Sequence, residues 1–345
     1  MIRQRYLSIF LLFSFSFVIT SAFIVQAKES AIAASGPLEL RDIWIRDPNI
    51  LYYNGTYYMT GTTAGDGFLG YSSTDLVHWT AESYIYHENA SSSWARQDFW
   101  AAEQKYKDGK FYLFFSGKTA TTKRATGVAV ATSPTGPYVD LMPNPLTPPE
   151  WNCLDGHLFM DDDGHDYFIY SHEWVDFSSG AGEFWIQPIA SNLTVLIGNK
   201  THLFNGRDAS WSGGVTDGPC MLKQNGVYYL FWSSGHDGYK CGYASSTNVL
   251  GPYVQSLNPT ISDDGGHCTI FRRDGDGELL ITYHQPNGGG KERAKIDHIC
   301  FDAGAWYLCK DLGQPDSLMM TVYTLVGVPV YVMVFLILHQ RKKRA

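Results

Sequence analysis

Four carboxylates and one histidine recur along this sequence, each a short distance before a glycine. The residues are Asp47, Glu103, Asp155, Asp217 and His267, and they precede their glycines by 8, 6, 9, 9 and 10 residues. If the segments are copies of one structural unit, the five side chains converge on one pocket. Clustered carboxylates suit glycoside hydrolysis, because that reaction needs an acid to protonate the leaving oxygen and a base to activate water.

The glycines themselves define the repeating unit. They follow Asn or Asp in short segments between apolar runs, which is the strongest local signal for a β-hairpin. A second, weaker hairpin follows each copy, so every repeat contains four strands. Four-stranded units at a period near 50 residues predict an all-β, five-bladed β-propeller over residues 40–310. The turn glycines are Gly55, Gly109, Gly164, Gly226 and Gly277.

The position of the acidic residues within each repeat predicts where their side chains lie in the fold. The first strand of a propeller blade is the innermost one and lines the axis. Equivalent starts of the five inner strands therefore predict a single central pocket with an acidic lining and an aromatic surround. Acids also cap turns, as Asp161, Asp162 and Asp163 are expected to do. The recurrence of one position in five repeats favours the pocket.

Both ends of the chain have the composition of targeting segments. Residues 1–27 carry two arginines and then a long apolar run, which predicts a signal peptide or, alternatively, an uncleaved signal anchor. Residues 318–338 contain no charged side chain and would span about 30 Å as a transmembrane helix. The basic residues 339–345 then form a cytosolic tail. These segments predict a type I membrane protein of the secretory pathway, in the endoplasmic reticulum or at the cell surface, with the propeller lumenal or extracellular.

The charge distribution argues against nucleic acid as a partner. Six of the 26 basic residues and none of the 34 acidic residues lie outside residues 28–316, so this region carries a net charge of −14. Phosphate backbones attract proteins of the opposite sign. A carbohydrate partner, an oligosaccharide or polysaccharide, has no such requirement.

The cysteines and sequons suit an oxidising secretory route. Six cysteines allow 15 pairings, and the best single pair is Cys300 with Cys309, which flank a predicted hairpin turn. Four Asn-X-Ser/Thr sequons offer acceptors for N-glycosylation in a eukaryotic host. They begin at Asn54, Asn89, Asn192 and Asn199.

Short motifs at these positions resemble glycoside hydrolase family 43, whose members are five-bladed propellers acting on arabinan, xylan and related chains. The resemblance covers residues 40–310, and its strength lies in the order and spacing of the motifs. The motifs are Arg46-Asp47-Pro48, Phe99-Trp100-Ala101-Ala102-Glu103, Leu154-Asp155-Gly156, Thr216-Asp217-Gly218-Pro219, Gly265-Gly266-His267, Tyr283-His284-Gln285-Pro286-Asn287 and Glu292-Arg293.

The resemblance implies a role for each catalytic residue. Asp47 matches the general base, and Asp217 matches the general acid. Asp155 matches the residue that adjusts the pKa of the acid and orients the substrate. The family usually carries Glu at the position of Asp217, so the acid here is one methylene shorter. The implied activity is inverting hydrolysis of O-glycosyl bonds in arabinose-, xylose- or galactose-containing carbohydrates. His267 matches a histidine that helps hold a calcium ion at the propeller axis.

The remaining candidates are expected to contact substrate, each with a structural alternative. Trp100 and Phe68 stack on sugar or pack between blades, Glu103 contacts the substrate or braces the pocket, and Arg293 binds a hydroxyl group or is a surface charge. His284 lies in the motif that closes the fifth blade.

Two alternatives to an inverting glycosidase remain open. One is a membrane-anchored propeller that binds sugars without cleaving them. The other is a retaining enzyme similar to the fructosidases of families 32 and 68, although the Glu-Cys pair typical of those enzymes does not occur here.

Overall fold

The chain folds into five antiparallel sheets, each built from four consecutive strands. The computed structural model describes residues 37–89 and 94–311. Neighbouring inner strands contact one another around the ring, and the inner strand of the last blade contacts that of the first. The all-β, five-bladed propeller predicted from the repeat is therefore confirmed.

The strands follow one order in every blade, from the axis outwards. Blade 1 contains β1 (Arg46–Tyr53), β2 (Thr56–Thr62), β3 (Gly67–Ser73) and β4 (Thr80–His87). Blade 2 contains β5 (Gln97–Lys107), β6 (Lys110–Lys118), β7 (Ala125–Ala131) and β8 (Val139–Asp140). Blade 3 contains β9 (Cys153–Met160), β10 (Asp166–His172), β11 (Glu183–Pro188) and β12 (Thr201–Asn205). Blade 4 contains β13 (Asp217–Gln224), β14 (Val227–Gly235), β15 (Tyr239–Ser246) and β16 (Val254–Gln255), and blade 5 contains β17 (Gly266–Arg272), β18 (Leu279–Gln285), β19 (Arg293–Asp302) and β20 (Ala305–Asp311).

The turns between first and second strands have the geometry that their sequence predicts. In blade 1, Asn54 and Gly55 have φ angles of 49° and 82°, and Asn225 and Gly226 of blade 4 have 51° and 76°. Two successive positive φ angles define the type I′ turn, whose twist matches that of the flanking strands. These local signals fix where each hairpin begins.

The hydrophobic core lies between neighbouring blades. Among the described residues, buried side chains form clusters that each combine residues from two adjacent sheets. Aromatic rings dominate them, with Phe68 of blade 1 packing against Phe99 and Phe115 of blade 2. Because every sheet buries both faces, the aromatic content of the sequence serves packing first and recognition second.

The ring closes beside the start of β1. Trp44 forms an isolated antiparallel bridge with Arg293, and its indole N–H donates to the Glu292 carboxylate at 3.1 Å. The amide of Ile45 donates to the carbonyl of Glu292 at 3.4 Å. Glu292 is 2% exposed, so this contact anchors the segment that leads directly into the first inner strand.

Two disulfides lie in the last two blades, one within blade 5 and one joining blade 4 to blade 5. Cys300 pairs with Cys309 across the β19–β20 hairpin, as predicted, and Cys241 of β15 pairs with Cys268 of β17. Cys153 and Cys220 are buried and free. Sequence spacing could not identify the second pair, because it joins strands of different blades.

Loss of the Cys241–Cys268 bridge should destabilise the protein more than loss of the hairpin bridge. The two bridges span 27 and 9 residues, and a longer closed loop restricts the unfolded chain more. We expect the double alanine variant of Cys241 and Cys268 to lose about 3 kcal/mol of unfolding free energy in urea titrations. The matched variant of Cys300 and Cys309 should lose less, and the opposite order would contradict this account.

The predicted targeting segments lie outside the described residues. These are the signal peptide at 1–27, the transmembrane helix at 318–338 and the tail at 339–345. In the part of the chain that the structure describes, no helix is long and apolar enough to span a bilayer.

Candidate active site

A β-bulge interrupts the first strand of every blade near its start. At each bulge two residues of the inner strand face one residue of the second strand. A bulge bends its strand and re-aims the side chains beside it. The bulged pairs are Asp47 and Pro48, Ala101 and Ala102, Asp155 and Gly156, Gly218 and Pro219, and His267 and Cys268.

The first residue of every bulge is left-handed, with φ between 50° and 56°. Asp47, Asp155 and His267 occupy this position and are therefore structurally equivalent, as predicted. The other two predicted members are not equivalent to them. Asp217 lies one residue before its bulge, and Glu103 lies two residues after the first residue of its bulge. Counting back from the turn glycine could not reveal this, because the number of residues between bulge and turn varies among the blades.

Side chains of the second strands hold these bulges in place. The hydroxyl of Thr62 in β2 accepts the N–H of Ala101 at 2.8 Å, and the hydroxyl of Ser116 in β6 accepts that of Asp155 at 2.8 Å. In each case the acceptor belongs to the preceding blade. Ser233 and His284 hold His267 and Asp47 in the same way, at 2.7 and 3.1 Å.

Blade 4 departs from this pattern at the point where the candidate acid lies. The second strand of blade 3 carries Ser171, whose hydroxyl bonds to the hydroxyl of Thr216 and not to a bulge amide. The N–H of Gly218 donates instead to Oδ2 of Asp155 at 2.9 Å. Asp155 is thus tied to the backbone next to Asp217, so these two carboxylates lie together.

Asp47 is a buried carboxylate surrounded by donors. The Thr62 hydroxyl donates to its Oδ2 at 2.5 Å, and Nδ1 of His267 lies 3.2 Å from its Oδ1. Burial alone would raise the pKa of Asp47, but His267, His284, Arg46 and the Thr62 hydroxyl outweigh it and lower the pKa below its usual value. Asp47 is therefore ionised at neutral pH, as a general base must be.

The pKa values of Asp155 and Asp217 are shifted in the opposite direction from that of Asp47. Burial raises the pKa of Asp217 to about 7, and the negative charge of Asp47 adds to this effect. The pKa of Asp155 is also raised, by burial and by the negative charges of Asp217 and Asp47. Carboxyl groups whose surroundings push their pKa values apart are the mark of an acid and base pair. Asp217 can thus hold a proton where Asp47 cannot.

The structure does not provide a ready calcium site at His267. Burial lowers the pKa of His267 to about 4, and its Nδ1 faces the carboxylates of Asp47 and Asp155 at 3.2 and 3.7 Å. Within residues 37–89 and 94–311, no three His, Cys, Asp or Glu side chains are grouped to hold a metal ion. The adjacent axial cavity measures about 20 Å³, which is room for one water molecule, whereas Ca²⁺ takes six to eight oxygen ligands.

Glu103 braces the pocket below the bulges. It is 7% exposed and accepts hydrogen bonds from Nζ of Lys105 at 2.7 Å and from Nδ1 of His157 at 2.8 Å. Burial opposes its ionisation, but these two partners lower the pKa of Glu103 to about 2. Of the two alternatives for Glu103, the structural one agrees with these contacts.

Trp100 is the predicted substrate contact that keeps an exposed ring. It lies one residue before its bulge, as Asp217 does in blade 4, and is 36% exposed. The Arg124 guanidinium lies 4.0 Å from the centre of the ring. Glu173 and Asp98 hold that guanidinium, at 2.5 and 2.8 Å. A ring fixed from one side is a suitable platform for a sugar.

Three other predicted substrate contacts have different surroundings. Phe68 has no exposed surface and lies in the core between blades 1 and 2, so the prediction that it stacks on a sugar is wrong. His284 is also fully buried and holds the backbone of Asp47, so it is not a direct substrate contact. The guanidinium of Arg293 donates to the carbonyls of Arg41 and Glu292, where it supports ring closure.

Sequence reasoning missed the residues that position the carboxylates. Thr62 and Tyr239 each donate a hydrogen bond to one of them. One signal was available, because the equivalent position near the end of each second strand carries a hydroxyl or an imidazole. These residues are Thr62, Ser116, Ser171, Ser233 and His284.

Replacing Thr62 by valine should shift the pH dependence of activity. The variant removes a donor to Asp47 and leaves the amide of Ala101 without its acceptor. The pKa of Asp47 should rise, so the acid limb of the profile should move to higher pH, with about 1–3 kcal/mol of stability lost. Thr60→Val is the control, because the Thr60 hydroxyl donates to the carbonyl of Leu69 instead. Equal acid limbs in both variants would contradict this role.

The fold and the site together define a glycoside hydrolase built on a five-bladed propeller. The sequence matches the model of glycosyl hydrolases family 43 over residues 43–307. The chain belongs to this family.

Individual relatives agree with that membership. A β-D-galactofuranosidase of Aspergillus niger is 27% identical over 273 residues, which cover 70% of this chain and 74% of the relative. An extracellular endo-α-(1→5)-L-arabinanase of Bacillus subtilis is 27% identical over 292 residues, covering 75% of this chain and 86% of the relative. The crystal structure of an endo-arabinase from Bacteroides thetaiotaomicron superposes with a TM-score of 0.73 at 34% identity, covering 79% of this chain and 100% of the other.

Proposed function

We propose that this protein hydrolyses α-1,5-linked L-arabinofuranosyl chains by direct displacement with inversion. The observation that carries the proposal is the split protonation within one pocket, where Asp47 is ionised and Asp217 retains a proton near neutral pH. The choice of sugar is supported by the two arabinan-cleaving relatives.

The mechanism follows from these protonation states. Asp47 accepts a proton from a water molecule, which attacks the anomeric carbon from the face opposite the leaving group. Asp217 donates its proton to the departing oxygen. Asp155 lies beside Asp217, so ionisation of both carboxyl groups is unfavourable. Asp217 therefore keeps its proton until it is transferred to the leaving oxygen. Inversion requires the base and acid carboxyl groups to be about 6.5–9.5 Å apart, which leaves room for the water.

The test is hydrolysis of a defined panel by the purified propeller. Linear α-1,5-arabino-oligosaccharides are compared with β-D-galactofuranosides and β-xylosides, and the anomer released first is identified by proton NMR. Preference for the arabino-oligosaccharides with an inverted product is the expected result. A retained anomer would overturn the mechanism and favour a fructosidase-like route.

A second candidate substrate is a β-D-galactofuranoside. It is favoured by the similarity to the Aspergillus niger enzyme, which extends over 273 residues. Preference for that sugar would replace the arabinan proposal while leaving the mechanism unchanged. Binding of oligosaccharides without turnover, unaffected by Asp47→Asn, would instead identify a non-catalytic sugar-binding propeller.

Calcium has no part in this mechanism. The expectation of a calcium ion at the propeller axis, near His267, stays a prediction. It is checked by the melting temperature and activity of the protein before and after dialysis against EDTA, with CaCl₂ added back. Recovery on calcium addition alone would support the ion, and unchanged values would refute it.

We also propose that the propeller is exported and tethered to a membrane through residues 318–338, as a type I protein with residues 1–27 removed. All four sequon asparagines, Asn54, Asn89, Asn192 and Asn199, are exposed, and the two disulfides suit an oxidising compartment. In a eukaryotic host, glycosidase treatment of the full chain should reduce its mass, and carbonate extraction should leave it in the membrane fraction. Release by carbonate would refute the tether.

A further inference from the structure

Asp217 is held by a tyrosine of its own blade. Tyr239 begins β15 and is 5% exposed, and its hydroxyl donates to Oδ2 of Asp217 at 3.1 Å. Among the described residues, none donates a hydrogen bond to Oδ1 of Asp217. The two oxygens of this carboxyl group are therefore distinguished by the protein.

The ring of Tyr239 is fixed from several directions. Its backbone N–H donates to Oδ1 of Asp264 at 3.1 Å, and its ring stacks on that of His284 with centres 5.3 Å apart and planes 17° apart. Gly266 lies against the ring edge, where a Cβ atom would be only 2.5 Å from Cε1 of Tyr239. The hydroxyl is thus presented to Asp217 from one position.

The same network extends to the general base. Asp264 accepts the N–H of Asn287 through its second oxygen at 3.2 Å, and Oδ1 of Asn287 lies 3.1 Å from Nε2 of His284. Nδ1 of His284 accepts the N–H of Asp47 at 3.1 Å. Tyr239 is therefore the end of a chain of hydrogen bonds that connects the acid side of the pocket to the base side.

We propose that Tyr239 is a positioning residue for the general acid: its hydroxyl occupies Oδ2 of Asp217, so that the transferable proton resides on Oδ1 and faces the leaving oxygen. This inference rests on the proposed function. An oxygen that accepts an O–H bond is a poor site for the acidic proton, so the donor selects the other oxygen. It also restricts a carboxyl group that is one methylene shorter than the usual glutamate, and proton transfer is sensitive to such placement.

The test compares Tyr239→Phe on two leaving groups. Sugar leaving groups need protonation, whereas 4-nitrophenolate departs without it. We expect kcat on an oligosaccharide that the parent cleaves to fall about 10–100-fold, with KM within about twofold, and kcat on the matching 4-nitrophenyl glycoside to fall less than about threefold. Tyr253→Phe is the control, because the Tyr253 hydroxyl donates to the carbonyl of Val249 and lies away from the acid.

Equal losses on both leaving groups would overturn the positioning role, since a merely structural defect does not distinguish them. A parent that prefers another sugar would overturn only the arabinan assignment, and the comparison would then use that sugar. Failure of the inference and failure of the proposed function are thus separate results.

A second measurement does not require turnover. Carboxyl ¹³C NMR titration, with the Asp217 signal assigned from Asp217→Asn, reports the protonation of the acid directly. Because the hydroxyl stabilises the ionised form, Tyr239→Phe should raise the pKa of Asp217 above about 7. The other charged groups facing Asp217 are unchanged in the variant, namely Asp47, Asp155, Glu173 and Arg46. An unshifted midpoint would overturn the inference.

Discussion

Replacement of Asp47 by asparagine should reduce kcat by about 10²–10⁴-fold without unfolding the propeller. The amide keeps the size of the side chain and still accepts the Thr62 hydroxyl, but it cannot take a proton from water. Steady-state kinetics on the preferred oligosaccharide measure the loss, and circular dichroism monitors the fold. KM should change little, because the lost interaction forms in the transition state.

The matched control for this variant is Asp108→Asn. Asp108 also has a positive φ, 50° against 53° for Asp47, but it lies in an exposed turn at the other end of its strand. Asparagine tolerates this conformation, so the control should retain full activity. An active Asp47→Asn protein would mean that another group activates the water.

Replacement of Asp217 by asparagine should have a comparably large effect that depends on the leaving group. We expect a loss of about 10²–10⁴-fold on sugar leaving groups and a much smaller one on a 4-nitrophenyl glycoside. In the parent protein the acid must be protonated, so kcat/KM should fall as the pH rises above about 7. This alkaline limb should be absent from the residual activity of the variant on the nitrophenyl substrate.

The Asp217→Asn variant should also be more stable than the parent at alkaline pH. The pKa of Asp217 is raised on folding, from 3.8 to about 7, so its stabilising protonated form is fully present at low pH and is lost as the pH rises through 7. Asparagine cannot ionise, so the variant should melt a few degrees higher than the parent at pH 8, with a smaller difference at pH 5. The opposite sign holds for Asp47, whose lowered pKa favours the ionised form.

A parent that melts at the same temperature as Asp217→Asn at both pH values would contradict the raised pKa of the acid. Equal loss of activity on both leaving groups would contradict the acid role itself. The thermal and kinetic results are independent, because one concerns the free protein and the other the transition state. Together they distinguish a general acid from a carboxylate that only binds sugar.

Much of the candidate site was accessible from the sequence because its residues lie close to local signals. Asp47, Asp155 and His267 stand at the same bulge position in three blades, and their distances from the turn glycines exposed the repeat. Asp217 and Glu103 were found by the same count, although they lie before and after that position. The distance from the turn glycine identifies the inner strand of each blade, but it does not give the position of the side chain relative to the bulge.

The positioning roles that the sequence did not reveal depend on hydrogen bonds across blades or between non-adjacent strands. Tyr239 reaches Asp217 from 22 residues away, and His284 reaches Asp47 from 237 residues away. For Phe68 the sequence leaves both alternatives open, because an aromatic ring in a strand has the same appearance whether it faces a pocket or a neighbouring sheet. Only the packing of blade 1 against blade 2 places this ring in the core.

The sequence by itself determined the repeat, the hairpins and the recurring set of acidic residues. Turn chemistry and strand alternation are local properties of a few successive residues. The tertiary structure alone decided which carboxylate ionises and which retains its proton. That decision depends on burial and on neighbours contributed by other blades, such as His267 beside Asp47 and Asp155 beside the backbone of Asp217. Proton affinity is set by the three-dimensional surroundings of a group, so it arises only when the ring of blades has closed.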